Sequence, residues 1–285
     1  CNLLCMSSAK TSRKRFFIID GYAILFRAHF ALIRNPLITS YGLNTSALFG
    51  FINQLLKIIK DENPEYFACA FDSKGKTFRH GMYKEYKANR PPMPDELQQQ
   101  LPHLWEILDA MNIPVLKKNG VEADDIIGTL AVRAQKKGLD TYIVSGDKDF
   151  MQLINKNTFL YAPGTKKNPN PIIYDPKKVE DKWGVPPEKI IDLLGLMGDS
   201  SDNVPGVSGV GEKTAVKLIK KYGSLNGALE NADQVSNKRA RTGLQEGTEN
   251  ARLSQELVTI MLDVEINSSL DDFTRAKMNN SLCIE

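Results

Sequence analysis

Apolar positions fall in two alternating patterns along the chain. Three short runs, RFFIID (15–20), YFACAFD (66–72) and DTYIVSGD (140–147), are apolar almost throughout, and each predicts a buried strand. Between and around them, residues 45–60, 95–111 and 123–137 repeat apolar positions at helical spacing. Strands alternating with helices predict a parallel sheet with helices on its faces. TFLYAP (158–163) and IIYD (172–175) add a further strand or a hairpin. After about residue 180 the strand signals stop, and PPEKIIDLLGLMG and GEKTAVKLIKKYG read as helices bounded by Gly or Pro. The expected organisation is an α/β core followed by a smaller helical region, with no internal repeat.

The polar residues that close these elements are acids. The strands end on Asp20, on Asp72, and on Asp147 with Asp149 two residues later. In an open parallel sheet the crevice beyond the carboxyl ends of the strands is the default ligand site. NGVEADDIIGTL (119–130) opens a helix with Glu122, Asp124 and Asp125. Acids in a first turn favour the helix dipole by roughly 0.3–1 kcal/mol each, but three within four residues repel one another. GLMGDSSDN supplies Asp199 and Asp202 after another apolar helix. Singly, each acid reads as well as a turn residue or helix cap. Nine in one crevice are untenable without cations. An all-oxygen set suits Mg²⁺ or Mn²⁺ and not zinc. So many ligands imply two or more ions, and ions about 3.5–4 Å apart activate water and stabilise the leaving oxygen in phosphodiester cleavage. His29, His80 and His103 are scattered, as packing or surface residues are.

Composition adds bounds. With 285 residues, 42% hydrophobic and 25% charged, the chain has material for one large domain or two ordinary ones. A net charge of +3 says little about partners, so the distribution of charge carries the information. No apolar run reaches membrane-spanning length, and CNLLCMSSAKTSRKR has no secretory-signal pattern. The four cysteines form no CxxC pair, which argues for a reducing compartment. The expected location is cytoplasmic, with an organelle as the alternative.

Two basic features stand out. KGKTFRHGMYKEYKANR (74–90) holds six Lys or Arg and one acid, and Arg79, Tyr83, Tyr86, Lys87 and Arg90 follow helical spacing. Cations for phosphates with rings for bases are equipment for single strands, although a solvated basic face has the same pattern. Arg27, seven residues after Asp20, reads either as a group near a scissile phosphate or as a surface charge. GVSGVGEKTAVKLIKKYG (206–223) nearly spells a P-loop, but Glu212 intrudes and no strand precedes it. Its glycines Gly206, Gly209 and Gly211 still open a helix whose free N–H groups, with Lys213, Thr214 and Lys217, suit a DNA phosphate held without regard to sequence.

In combination the chain resembles the 5′-nuclease domain of bacterial DNA polymerase I, in the flap endonuclease superfamily. The matching stretches are IIDGYAILFRAHFAL, AFDSKGKTFRHGMYKEYKANRPPMPDEL, GVEADDIIGTLA, VSGDKDFMQL and LMGDSSDNVPGVSGVGEKTA, in family order across roughly residues 16 to 262. The resemblance implies a PIN-like, mostly parallel sheet flanked by helices. Its expected parts are a tail at 1–15, a nuclease core at 16–180 with a helical arch at 74–100, a helix–hairpin–helix (helix-three-turn-helix) DNA-binding region at 181–265, and a C-terminal tail at 266–285. It assigns Asp20, Asp72, Glu122 and Asp124 to a first ion and Asp147, Asp149 and Asp202 to a second, with Asp125 and Asp199 acting directly or through water. Arg27 and Lys87 match residues that hold and polarise the reacting phosphate, and the stretch bearing Arg79, Tyr83, Tyr86, Lys87 and Arg90 matches the arch. The glycine hairpin matches an element that grips duplex DNA and in relatives holds K⁺.

The implied activity is metal-dependent removal of 5′ flaps and RNA primers from branched or nicked DNA in replication and repair, by a monomer near the nucleoid and away from membranes. MNNSLCIE does not match the close of that domain, so a truncated or diverged end, with a polymerase fused or separate, belongs to the expectation. A PIN-type RNase and a junction-binding module without catalysis are the rival readings. The lysine-rich hairpin and the arch segment argue against the first, and the intact acid set against the second.

Overall fold

The computed structural model describes residues 13–165 and 167–277. Strands β1 (Arg15–Asp20), β2 (Tyr66–Ala70), β3 (Val115–Leu116), β4 (Asp140–Val144), β5 (Thr158–Ala162) and β6 (Ile172–Tyr174) form one sheet in the order β3-β2-β1-β4-β5-β6. All neighbours are parallel except β5 and β6, which pair antiparallel. The three apolar runs are therefore the adjacent strands β2, β1 and β4. From β1 the chain builds outward through β2 to β3, then returns to the other side of β1 for β4. This reversal creates a switch point between β1 and β4, where open α/β sheets hold their ligands. The weaker 158–163 and 172–175 signals are the antiparallel edge pair. The two-residue β3 is too short to leave a periodic trace.

Alternate residues of the central strands feed two cores. Phe17, Ile19, Phe67 and Val144 pack with Leu25 of α1 (Gly21–Leu32), Phe51 of α2 (Ser46–Glu62) and Leu104 of α5 (Leu101–Ala110). Phe16, Ile18 and Ile143 face the other way, onto Ile127 and Leu130 of α6 (Ala123–Lys136). That second core runs without a break into the helical region, through Leu193 of α8 (Ile190–Met197), Leu218 of α9 (Glu212–Tyr222) and Leu257 of α12 (Thr248–Val258). The C-terminal helices are thus seated on the sheet by shared apolar burial, the main favourable term in folding.

Three expectations need correction. The spacing from Arg79 to Arg90 does not form one helix. The helix there, α3 (Phe78–Met82), stops at Tyr83, and turns carry the chain on, with Lys87 at φ 56°. The 95–111 pattern is split into α4 (Asp95–Gln98) and α5, the break falling just before Pro102 in the first turn of α5. Residues 266–277 are packed and not a tail. Phe273 stacks on Phe16 with ring centroids 5.6 Å apart, Thr274 bridges Tyr66, and Arg275 N–H donates to Glu65 O at 2.8 Å. Of the expected tail at 1–15, Arg15 opens β1, and residues 1–12, like the last residues, 278–285, lie outside the described residues.

Candidate active site

The acids of β1, β2 and β4 leave the sheet at one edge. Asp20 ends β1 and caps α1, its Oδ1 accepting from Ala23 N–H at 3.4 Å. Ser145, just past β4, donates its hydroxyl to Asp20 Oδ2 at 2.7 Å and accepts from Asp147 N–H at 3.0 Å, tying the ends of β1 and β4 together across the switch point. Asp72, two residues past β2, accepts from Ala123 N–H at 2.7 Å and so pins the start of α6 to the same edge. Asp147 Oδ1 accepts from Asp149 N–H at 2.9 Å.

At the head of α6 the crowded acids divide into two kinds. Glu122 and Asp125 form a reciprocal capping box, each side chain accepting from the other's backbone N–H. Asp125 is fully buried and saturated. Arg79 grips both its oxygens at 2.8 Å, and Glu122 N–H and Met261 N–H donate to it at 3.0 and 2.9 Å. It has no lone pair facing the other acids to spare, so the expected role of Asp125 at a metal gives way to a structural one. Arg79 is corrected with it. At 2% exposure, its Nε and Nη2 also donate to Leu257 O and Thr259 O at 2.8 Å and its Nη1 lies 3.4 Å from Glu122 Oε2, so it cannot reach DNA from this position.

The rest of the basic segment folds down onto the acids. Tyr86 is buried and donates to Glu122 at 3.1 Å. Lys87 Nζ lies 2.9 Å from Glu122 Oε1 and 3.6 Å from Asp202 Oδ2, and Arg90 pairs with Asp202 Oδ1. Backbone contacts hold the segment there: Lys87 N–H donates to Asp202 O at 2.9 Å, and Asn203 reaches Glu85 O at 2.7 Å. Lys148 reaches Asp199 at 2.8 Å. Tyr83 packs half-buried against the core beneath. Arg27 pairs with none of the acids, its guanidinium donating to Pro163 O at 2.8 Å and to Gly164 O, just past the end of β5.

The electrostatics show one coupled cluster. Burial first, then Asp147 and Asp72, push the Asp20 carboxyl up to about 7. Burial followed by Asp20 and Asp147 raises Asp124 well above the usual carboxylate range. Asp147 and Asp149 are raised by burial and by their acidic neighbours, Asp199 and Asp202 among them. Burial would lower Lys87, but Glu122 and Asp202 more than reverse it. Among the described residues no three His, Cys, Asp or Glu side chains close around a single point. Lys87, Arg90 and Lys148 draw Glu122, Asp202 and Asp199 to themselves. The donors nonetheless fit a hard cation. They are all carboxylates, burial and then mutual repulsion raise the proton affinity of Asp20, Asp124, Asp147 and Asp149, and Asp149 Oδ1 is buried without a hydrogen-bond partner.

The glycine loop lies between α8 and α9. Gly206 and Gly209 take φ 62° and 77°, and a side chain at Gly209 would meet Arg239 Cγ at 2.5 Å. Gly211 caps α9, and Lys213 and Lys217 project into solvent from it, with Thr214 half-buried. Sequence reading missed Ser145 and Lys148 as site residues. The signal was present in VSGDKDF, where a small hydroxyl and a lysine flank the acid.

Fold and site together define a class: a parallel α/β protein whose switch point carries coupled carboxylates and whose helical region presents a basic loop–helix. Family comparison makes this specific. Residues 15–184 match the 5′–3′ exonuclease N-terminal resolvase-like domain, and 185–281 match the 5′–3′ exonuclease C-terminal SAM fold. The chain belongs to the 5′–3′ exonuclease family. DNA polymerase I of Bacillus subtilis is 45% identical over 262 residues, which cover 91% of this chain and 29% of that protein. A 5′–3′ exonuclease of Aquifex aeolicus is 40% identical over 259 residues, covering 91% of this chain and 86% of that one. The chain thus spans under a third of the polymerase relative's length. In fold it is similar to the bacteriophage T5 5′-exonuclease with bound zinc, at a TM-score of 0.72 and 20% identity over 87% of this chain and 90% of that one. It is also similar to the T5 flap endonuclease in complex with DNA and metal ions, at 0.71 and 21% identity over 86% and 89%.

Proposed function

We propose that this chain is a divalent-metal-dependent 5′-nuclease, acting as a 5′–3′ exonuclease and 5′-flap endonuclease on flapped, branched and nicked duplexes and RNA–DNA primers. The observation that carries the reading is the coupled cluster of Asp20, Asp124, Asp147 and Asp149 at the switch point. Protons or cations must offset such a cluster, and near neutral pH a divalent ion does so best. Asp20, Asp72, Glu122 and Asp124 would hold one Mg²⁺ or Mn²⁺, and Asp147, Asp149 and Asp202 a second, with Asp199 acting through water. When bound, such ions supply Lewis-acid stabilisation of the charge on the reacting phosphate.

The chain's own residues do the rest. Lys87 and Arg90 exchange their carboxylate partners for the scissile phosphate and hold it over the cluster, an electrostatic preorganisation. Ser145 keeps Asp20 and Asp147 in register. Lys213 and Lys217 on α9 hold the duplex by its backbone, without base contacts. Hydrolysis leaves a 5′-phosphate and a 3′-hydroxyl. A K⁺ ion on backbone carbonyls of the 206–211 loop belongs to the same proposal, as do a monomeric state, a polymerase partner, fused or separate, and a cytoplasmic, nucleoid-associated location. Among the described residues no helix is long and apolar enough to cross a membrane.

The test is a duplex with a 5′ flap labelled at its 5′ end, incubated with Mg²⁺ or with EDTA. Cutting near the flap base in Mg²⁺ alone supports the proposal. Binding without cutting in either Mg²⁺ or Mn²⁺ contradicts it and favours a junction-binding module.

A further inference from the structure

A cavity of about 840 Å³ opens beside Asp72, lined also by Tyr22, Lys74, Leu101, Trp105 and Lys117. Its volume lies in the range of small-ligand sites. Tyr22 is on the first turn of α1, Trp105 is on α5, and Lys117 follows β3, so the cavity shares the sheet edge that bears the acids. One wall is aromatic and fixed: Tyr22 meets Phe71 at 85° with centroids 5.2 Å apart, and Phe71 meets Trp105 at 87° and 4.8 Å. The mouth is cationic. Lys74 and Lys117 are exposed, and among the described residues neither forms an ion pair with a carboxylate. Their ammonium groups are near enough that Lys74, after burial, lowers the Lys117 pKa. Two like charges held together on a cavity rim are relieved by an anion. Lys117 Nζ meanwhile lies over the Trp105 ring, 3.3 Å from its centroid. An anion that draws it away uncovers the indole face.

We propose that this cavity is a subsite for one nucleotide of the displaced 5′ single strand. Its phosphate sits between Lys74 and Lys117, and its base lies against Trp105 once Lys117 has swung to the phosphate. Paired cations and an exposed ring are the chemistry that holds single strands without sequence preference. Asp72, fixed by Ala123 N–H, repels a phosphate placed deeper, which sets the polarity of the bound unit. The inference takes the identity of the strand from the nuclease reading, while the binding chemistry stands on the cavity.

The chain has two tryptophans, so Trp183→Phe leaves Trp105 as the single emitter. This variant is titrated in EDTA with 5′-phosphorylated thymidine dinucleotide and, separately, with thymidine 5′-monophosphate. The expected result is a saturable change in Trp105 emission with the dinucleotide, weakened at least about tenfold by Lys74→Ala with Lys117→Ala. A flat titration, or one indifferent to the lysines, overturns the subsite. Equal affinity for the mononucleotide overturns the strand assignment and points to a free-nucleotide pocket. The lysine variant is also assayed with Mg²⁺: a raised KM on flaps but not on nicked duplex supports the subsite. Wild-type cleavage beside a flat titration removes the subsite alone, whereas a lysine-dependent titration without any cleavage supports the pocket and contradicts the nuclease reading.

Discussion

Arg79 and Asp125 meet as a buried, bidentate pair, with both N···O distances 2.8 Å. The pair joins the head of α6, which carries Glu122 and Asp124, to the backbone at Leu257 and Thr259 after α12. It is the polar hinge pin between the acidic edge and the helical region. Breaking such a pair strands a buried charge and costs on the order of 3–5 kcal/mol. Asp125→Ala should therefore lower the denaturant midpoint sharply with an unchanged slope, measured by urea unfolding. A loss under about 1 kcal/mol, the level of an exposed pair, would contradict the structural assignment.

Lys87 is the converse case. It is half-buried between Glu122 and Asp202, and its removal leaves Glu122 paired with Arg79 and Asp202 with Arg90. Lys87→Ala is expected to keep its melting temperature while single-turnover cleavage of a flap falls about 10²–10³-fold, the usual cost of one preorganised charge contact. Unchanged cleavage would remove Lys87 from the reacting phosphate.

The Asp20 carboxyl gives a pH signature in metal-free protein. Its folded pKa stands near 7 against an ordinary 3.8, so between these values the folded state binds a proton that the unfolded chain has released. Its contribution to stability should then be full below about pH 4, fall as the pH rises to about 7, and stay lost above it. Thermal melts in EDTA should show that decline, flattened in Asp20→Asn, and added Mg²⁺ should raise the wild-type midpoint at pH 8. Stability that rises across this window, in both proteins alike, would count against the coupled cluster.

Ser145 offers a finer probe, because one hydroxyl serves both Asp20 and Asp147. Ser145→Ala is expected to cost about 1 kcal/mol of stability and to raise the Mn²⁺ concentration for half-maximal cleavage. An unaltered metal dependence would reduce Ser145 to a turn residue.

Much of this was legible in the residues, for identifiable reasons. β1, β2 and β4 announce themselves because a strand buried on both faces is apolar at every position, and their terminal acids mark the edge where ligands bind. Asp125 was misread because a capping acid and a metal-ligating acid look alike in sequence; only the burial of Arg79 beside it separates them. The run from Arg79 to Arg90 misled for the same reason that periodicity usually informs. Its spacing is helical, but Tyr86, Lys87 and Arg90 gain more by folding onto Glu122 and Asp202 than a solvated helix would give them. Such long-range pairing leaves no local trace. Phe273 and Arg275 were placed in a tail because their partners, Phe16 and Glu65, lie more than two hundred residues earlier.

The most direct test of the account is Asp124→Asn on a 5′-flap duplex, with DNA affinity and Mg²⁺-dependent cleavage measured on the same preparation. Asp124 is half-buried and serves as no other group's structural anchor in the way Asp125 does. Near-native affinity with most of the cleavage lost is the expected result. Wild-type turnover in this variant would contradict the assignment of the acidic edge as the metal-dependent catalytic centre.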